Sequence, residues 1–477
     1  MKNHLLIIIT LLFLNPFWSF AQNFPKTEWE KVKIPSFYGW HQNYLDDLEN
    51  YIVDSTATTG MMIIQDGRVI YEYGNTSENS YIASCRKSVL AMLYGKYVEK
   101  GIIDLNKTLA DLDITYDGML SEKEKEATVK DIISSRSGIY LPAANPGDMT
   151  HLAPPRSSVN PGDLWIYNNW DFNMAGHIFE KLTQKDIYDD IEAQFATPLQ
   201  MEDWDRASQE KSGNAYLTDV LAYHINFSTR DMARLGVLML NKGKWNNQEL
   251  IPEYWVDEMT KAHTSFEEVE KIAPSIKNDF TDIAYGYMWW LWHNPKNKML
   301  ENAYSAQGAY GQNITVIPNI NTVVVIKTND LYDRQKGDHY FMIDLIAKGY
   351  DQQLKEELRG LAIHLTQNDI KQFTIEYKKA PPSTDGIDFQ NSINQLAYYY
   401  LNETKEYNKA LSLFELNVTQ NPSSWLVYDS MGEYYLLNGN VEKAIQNYET
   451  ALSLNKNNQW GYNETLTYII KRLQQKT

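Results

Sequence analysis

At 477 residues, 43% hydrophobic and 22% charged, the chain has room for two or three domains and the balance of an ordinary soluble globular protein. A formal net charge of −17 with a pI near 5.0 leaves no concentrated basic surface for phosphate binding, so no nucleic-acid partner is expected. Cys85 is the single cysteine, which excludes an intrachain disulfide and reads as a small packing residue.

The N-terminus carries Lys2, an apolar run from Leu5 to Leu14 broken only by Thr10, and Ser19-Phe20-Ala21-Gln22 with small residues placed for cleavage after Ala21. The pattern predicts a secretory signal peptide over 1–21 and a periplasmic or secreted location; the run is short for an uncleaved anchor helix, the alternative reading. Met61 to Tyr73 predicts two strands around the Asp66-Gly67 turn. From Ser84 to Gly101, Val89, Leu90, Leu93, Tyr97 and Val98 recur at helical spacing. Short helices and loops follow, then a Pro-rich loop leading into Tyr167-Asn168-Asn169 and another helix. Ser228-Thr229-Arg230-Asp231 caps an amphipathic helix that stops at Gly243. Strands are expected over 285–292, 304–312, 314–317 and 323–326, the last two around the turn at Asn319-Ile320-Asn321. Strands at both ends with helices between them predict an α+β layer in which N- and C-terminal strands share one sheet.

Composition changes near residue 351. A helical stretch over 354–377 and the polar break Lys379 to Gly386 read as a helical linker over 354–386. Over 387–477 the chain repeats at a period of 34: Tyr400 matches Tyr434, Ala410 matches Ala444, Phe414 matches Tyr448, and Asn421-Pro422 matches Asn455-Lys456. This period and pattern resemble tetratricopeptide repeats, helix pairs that commonly offer a surface to a protein partner.

The chemistry concentrates at Ser84-Cys85-Arg86-Lys87. Three residues is just under one helical turn, so Lys87 lies over the Ser84 hydroxyl and could take its proton, provided burial or a neighbouring cation lowers the lysine pKa. Ser208 to Lys211 and Ser453 to Lys456 repeat the spacing, but neither opens a helix with an apolar face behind it. Tyr167-x-Asn169 supplies a phenol that could pass protons and an amide that could position a lysine; Tyr73-x-Asn75 repeats that spacing at a strand tip. No Gly-x-Ser-x-Gly elbow and no His-Glu-x-x-His or Cys/His metal spacing occurs, so neither a metal nor a cofactor is expected. His151, His177 and His224 read as structural or surface groups, and Arg136 as a loop brace. The aromatic run Tyr285 to Trp290 reads as core strand, with the alternative that one member lines a pocket.

Taken together, residues 36–353 resemble the serine β-lactamase and penicillin-binding-protein-like hydrolases, nearest to the class C β-lactamase-related hydrolases and esterases. The resemblance rests on Ile82 to Ser88, Glu99 to Leu105, Ile132 to Gly138, Pro161-Gly162 followed by Tyr167-Asn168-Asn169, Pro198 to Met201, and Gly308 to Gln312 before two strands. It implies a β-lactamase-like fold over 22–353, an antiparallel sheet flanked by helices with a helical subdomain. It also implies that Ser84 is acylated, that Lys87 and Tyr167 share proton transfer, that Asn169 orients lysine and substrate, and that the Ser84 and Ala309 N–H groups form the oxyanion hole. Where these enzymes usually carry Lys-Thr-Gly, the chain has Ala306-Gln307-Gly308. Gln307 and Gly308 would then meet a neutral carbonyl or amide, which favours an ester or amide over a β-lactam. A β-lactamase or D-amino-acid peptidase, and a non-catalytic envelope scaffold using the pocket and the repeats, are the alternatives.

Overall fold

The computed structural model describes residues 24–116, 118–328, 337–379, 381–382 and 388–475. The expected leader over 1–21 lies outside the described residues, as does part of the polar break near 380–387. The chain begins its main sheet with β1 (Gly60–Gln65) and β2 (Arg68–Gly74), joined at Asp66 (φ 49°) and Gly67 (φ 73°). Three small ribbons follow: β3 (Ser80–Tyr81) with β6 (Asn226–Phe227), β4 (Glu210–Ser212) with β5 (Ala222–His224), and β7 (Lys244–Trp245) with β8 (Gln248–Glu249). The remaining strands are β9 (Asp282–Tyr285), β10 (Trp290–His293), β11 (Tyr304–Gly308), β12 (Gln312–Ile317) and β13 (Thr322–Lys327).

The main sheet is antiparallel throughout, in the order β2-β1-β13-β12-β11-β10-β9. N- and C-terminal strands therefore share one sheet, with Ile63 opposite Val324 at the seam. Every residue of β1, β12 and β13 is buried, because helices cover both faces, and such strands read as continuous apolar runs. Helix Thr229–Leu240, capped by Ser228 through the Asp231 N–H, packs against β12 and β13. The first helix, Gln42–Ser55, buries Leu45, Leu48 and Ile52 and pairs with helix His339–Lys348.

Two strand boundaries differ from the sequence expectation. The stretch 285–292 is a tight hairpin rather than one strand: Met288 sits at φ 61°, and a Cβ on Gly286 would lie 2.1 Å from the Met259 carbonyl oxygen. Strand 304–312 is cut at Gly308, where a short turn carrying Tyr310 at φ 74° reverses the chain into β12.

Helices Gln352–Thr366 and Ile370–Lys379 share one core with Phe389–Tyr398, Tyr407–Gln420 and one side of Trp425–Leu437. Helices Val441–Leu454 and Asn463–Gln474 form a second, smaller core with Trp425. Ile34 and Phe37, which precede the first long helix, insert into the core of helices 352–437. The Phe37 ring is 5.3 Å from Phe373 and 5.5 Å from Phe389. Positions 34 apart are equivalently buried: Ala410 with Ala444, and Phe414 with Tyr448.

Candidate active site

The strand that delivers Ser84 is held from two sides. Ser80 pairs with Phe227, and the Ile82 N–H donates to Ile225 O at 3.0 Å. Lys327, at the end of β13 and 1% exposed, donates to the carbonyls of Glu78 (3.2 Å), Ser80 (3.3 Å) and Phe227. Burial pushes the Lys327 ammonium down to about 8. Ala83 then adopts a left-handed φ of 48°, a strained conformation for a residue with a Cβ. Ser84 follows with φ −71° and ψ −10° as the N-cap of helix Cys85–Glu99, and its side chain makes no capping bond. The hydroxyl is thereby left for other partners. The helix behind it is buried on nearly every side and pinned by Ser88, whose hydroxyl donates to Met288 O at 2.6 Å.

Lys87 Nζ lies 3.0 Å from Ser84 Oγ and 2.6 Å from the Tyr167 hydroxyl oxygen. It also stands 4.2 Å from the Tyr167 ring centre and 4.4 Å from that of Phe172. Burial holds the Lys87 ammonium well below the usual lysine range, with the adjacent Arg86 guanidinium acting in the same direction and Asp148 opposing both. Burial pushes the Tyr167 phenol up, against the pull of its bond to Ser84. Burial thus favours an uncharged amine and a protonated phenol beside one serine hydroxyl, a pattern that could remove the serine proton and return it elsewhere. Tyr167 is fixed by stacking on Trp290 (5.3 Å), by a tilted contact with Phe172 (4.9 Å) and by an edge contact with Tyr285 (6.2 Å).

Gly308 closes the other wall. A Cβ there would lie 2.7 Å from Ile82 O and 3.1 Å from Ala83 Cβ, so β11 approaches the Ser84 turn as only glycine allows. Ala309 follows directly, just past the last β11–β12 pair, Gly308 opposite Gln312. Ser84, Tyr167, Trp290, Gln307, Gly308 and Ala309 line one cleft of about 520 Å³. Gln307 exchanges hydrogen bonds with Tyr340, its amide nitrogen 3.0 Å from the phenol oxygen. Farther along the cleft, His339 Nε2 and Asn278 Nδ2 are buried without a partner, and burial pushes the His339 imidazole down to about 4.

The structure brings together Ser84, Lys87, Tyr167, Gln307, Gly308 and Ala309. It does not bring Asn169 to Lys87. The Asn169 amide nitrogen donates to the carbonyls of Pro146 (2.9 Å) and Asn145 (3.4 Å), and its carboxamide oxygen is buried without a partner. Asn169 is the first residue of helix Asn169–Thr183, and that position aims its side chain at the 145–148 loop. The competing Ser-x-x-Lys pairs do not form: Lys211 bonds Glu180, and the Ser453 hydroxyl donates to Thr450 O. Arg136 does brace a loop, donating to Gly162 O (3.0 Å) and pairing with Glu268 (2.9 Å). Cys85 is a buried free thiol. Trp290 comes from the aromatic run and lines the cleft, whereas His339, Tyr340 and Asn278 were not singled out from the sequence: no short motif contains them. Among the described residues, no cluster of three or more His, Cys, Asp or Glu could hold a metal ion, and no helix is long and apolar enough to cross a membrane.

The seven-stranded antiparallel sheet between helices, with helix Cys85–Glu99 against β11, defines a β-lactamase-like fold. The chain belongs to the beta-lactamase family, whose pattern matches residues 45–347. It is similar to a penicillin-binding protein homologue from Caulobacter crescentus at 14% identity, covering 66% of this chain and 96% of that one with a TM-score of 0.48. It is also similar to a penicillin-binding protein from Bacillus halodurans at 15% identity (64% and 98% covered, TM-score 0.44). An octameric penicillin-binding protein homologue from Pyrococcus abyssi is 18% identical (60% and 74% covered, TM-score 0.44).

Proposed function

We propose that the chain is an exported serine hydrolase that cleaves an ester or amide through an acyl-enzyme. The observation that carries this reading is Lys87 Nζ standing between Ser84 Oγ and the Tyr167 hydroxyl, at 3.0 and 2.6 Å. Neutral Lys87 takes the Ser84 proton as Oγ attacks the substrate carbonyl. Tyr167, still protonated, gives a proton to the leaving group and is refilled from Lys87; the same path run with water releases the acid. The N–H groups of Ser84 and Ala309 receive the negative charge that develops on the carbonyl oxygen, an arrangement typically worth about 3–4 kcal/mol per donor.

On the substrate side, the residue at the usual lysine position of the third motif is neutral Gln307, already paired with Tyr340. Among the described residues that line the cleft, the Lys or Arg present is Lys277, paired with Glu270. This disfavours strong selection of a β-lactam carboxylate and favours an uncharged ester or amide. Asn169 is assigned a supporting role, holding the 145–148 loop whose Gly147 lines the cleft. Residues 22–353 would form the hydrolase domain, and the 34-residue repeats after 387 a tetratricopeptide-type surface for a protein partner.

A fluorophosphonate probe tests the assignment. Wild type should be labelled and Ser84→Ala should not; equal labelling of the two removes Ser84 from the role. Turnover of p-nitrophenyl acetate beside a chromogenic cephalosporin then separates esterase from β-lactamase activity, with the ester expected to be the faster substrate.

A further inference from the structure

Arg86 occupies an unusual position for an arginine. It lies inside the Ser-x-x-Lys motif, between Cys85 and Lys87, and is 1% exposed. Buried guanidinium groups normally find a carboxylate, because an unpaired charge in a low-dielectric interior is costly. Among the described residues, Arg86 pairs with none. Its Nη2 donates to the Asn173 carboxamide oxygen at 2.9 Å, its Nη1 has no partner, and its guanidinium carbon lies 4.3 Å from the Tyr223 ring centre. Asn173 in turn donates to the Asn145 carboxamide oxygen at 3.0 Å, so the chain of contacts ends on neutral amides.

The groups facing Arg86 from other elements are also neutral. Tyr81 comes from β3, Tyr223 and His224 from β5, Tyr188 from helix Ile187–Ile191, and Tyr167 from the loop before the next helix. Its field reaches each of them. His224, half-buried and 4.5 Å from the Tyr81 ring, is pushed down to about 4 by burial and then by Arg86. Against Lys87 Nζ stand Ser84, Tyr167 and Phe172, while Arg86 precedes it on the same helix and acts on it through charge, with Asp148 acting in the opposite sense. Asp148 is occupied elsewhere, accepting from the Asn169 N–H (3.1 Å) and from the Thr150 hydroxyl (2.7 Å).

We propose that Arg86 is a positioning residue whose uncompensated buried charge holds Lys87 in its neutral, proton-accepting form. This rests on the reading that Lys87 takes the Ser84 proton. A second buried positive charge on the neighbouring residue disfavours the ammonium, and a partner acid against Arg86 would cancel that effect. Because Lys87 must be neutral to act, acylation rises with pH through the lysine's titration, and Arg86 places that rise lower on the pH scale.

The test is the pH profile of fluorophosphonate labelling of Ser84, together with kcat/KM for p-nitrophenyl acetate, on the full chain. Arg86→Gln removes the charge, Arg86→Lys keeps it, and Asn173→Asp leaves Arg86 in place but supplies a near-isosteric carboxylate that neutralises it. Arg86→Gln and Asn173→Asp should move the acid limb to higher pH by about one unit, a loss of about tenfold on that limb with the alkaline plateau retained. Arg86→Lys should leave the limb near its wild-type position. If Arg86→Gln does not fold, Asn173→Asp decides. An unmoved limb in the folded charge-neutralised variants, with only a lower plateau, overturns the inference and leaves the serine-hydrolase reading standing. Absence of Ser84-dependent labelling in wild type overturns that reading and this inference with it.

Discussion

Gly308→Ala isolates the contribution of the β11 wall. The added methyl would lie 2.7 Å from Ile82 O, 2.8 Å from Gln312 Cβ and 3.1 Å from Ala83 Cβ. Carbon contacts relax only beyond about 3.4 Å, so the end of β11 must withdraw from the Ser84 turn by roughly 0.5–1 Å. That displacement exceeds the tolerance of about 0.5 Å for a preorganised donor, and the donor displaced is the Ala309 N–H. Overpacking at one position should cost about 1–3 kcal/mol of stability and a few degrees in melting temperature. Loss of one oxyanion donor should cost about 10²–10³ in kcat, a far larger effect on rate than on fold. Steady-state hydrolysis of p-nitrophenyl acetate, read beside a thermal melt, separates the two. A variant that melts a few degrees lower but keeps kcat within about threefold would refute the assignment of Ala309 to the oxyanion hole.

Tyr167→Phe keeps the ring stacked on Trp290 and removes the hydroxyl 2.6 Å from Lys87, and should lower kcat for an amide by about 10²–10⁴ while the Ser84-directed probe still labels. Lys327→Met strips donors from three backbone carbonyls and should destabilise the fold by about 2–3 kcal/mol at neutral pH, measured by chemical denaturation. Lys327 has a native pKa of about 8, below its unfolded value, so the native state binds fewer protons above that pH. The cost of burying it charged is therefore present below pH 8 and relieved as pH rises toward 10, so the gap between wild type and variant should widen over that window by up to about 3 kcal/mol. Phe37→Ala removes a fully buried ring from the helical core and should cost about 3–5 kcal/mol, splitting one calorimetric transition into two.

The local chemistry was legible where spacing alone determines it. Ser84 and Lys87 sit one turn apart on one helix, so their contact follows from helical geometry. The hairpin at Asp66-Gly67 and the Ser228 cap carry their own turn and cap signals. The Tyr167 match came from motif order, not geometry, because 80 residues separate it from Lys87. Asn169 shows the limit of such transfer: one helical position sends its amide to the Pro146 carbonyl instead of to the lysine. The break at Gly286 to Met288 was hidden because all its neighbours are apolar or aromatic, and only the approach of the Met259 carbonyl demands it. Asn278 and the adjacent pair His339-Tyr340 reach the cleft from two separate segments, and their place there exists only once the sheet has closed. Arg86 stood inside the motif from the start, but a sequence does not state whether a charge has a partner.

The insertion of Ile34 and Phe37 among helices more than 300 residues downstream bears on how the chain is made. On the ribosome these apolar side chains emerge early, and their cover, which includes Leu358, Phe373 and Phe389, is synthesised more than 300 residues later. The seam between β1 and β13 has the same property, since Ile63 waits for Val324. A nascent chain of this kind carries exposed greasy segments for most of its synthesis, and its final compaction is non-local and slow. Such a chain is expected to need protection during synthesis, and one stopped near residue 351 would keep the proposed site residues yet leave Phe37 bare.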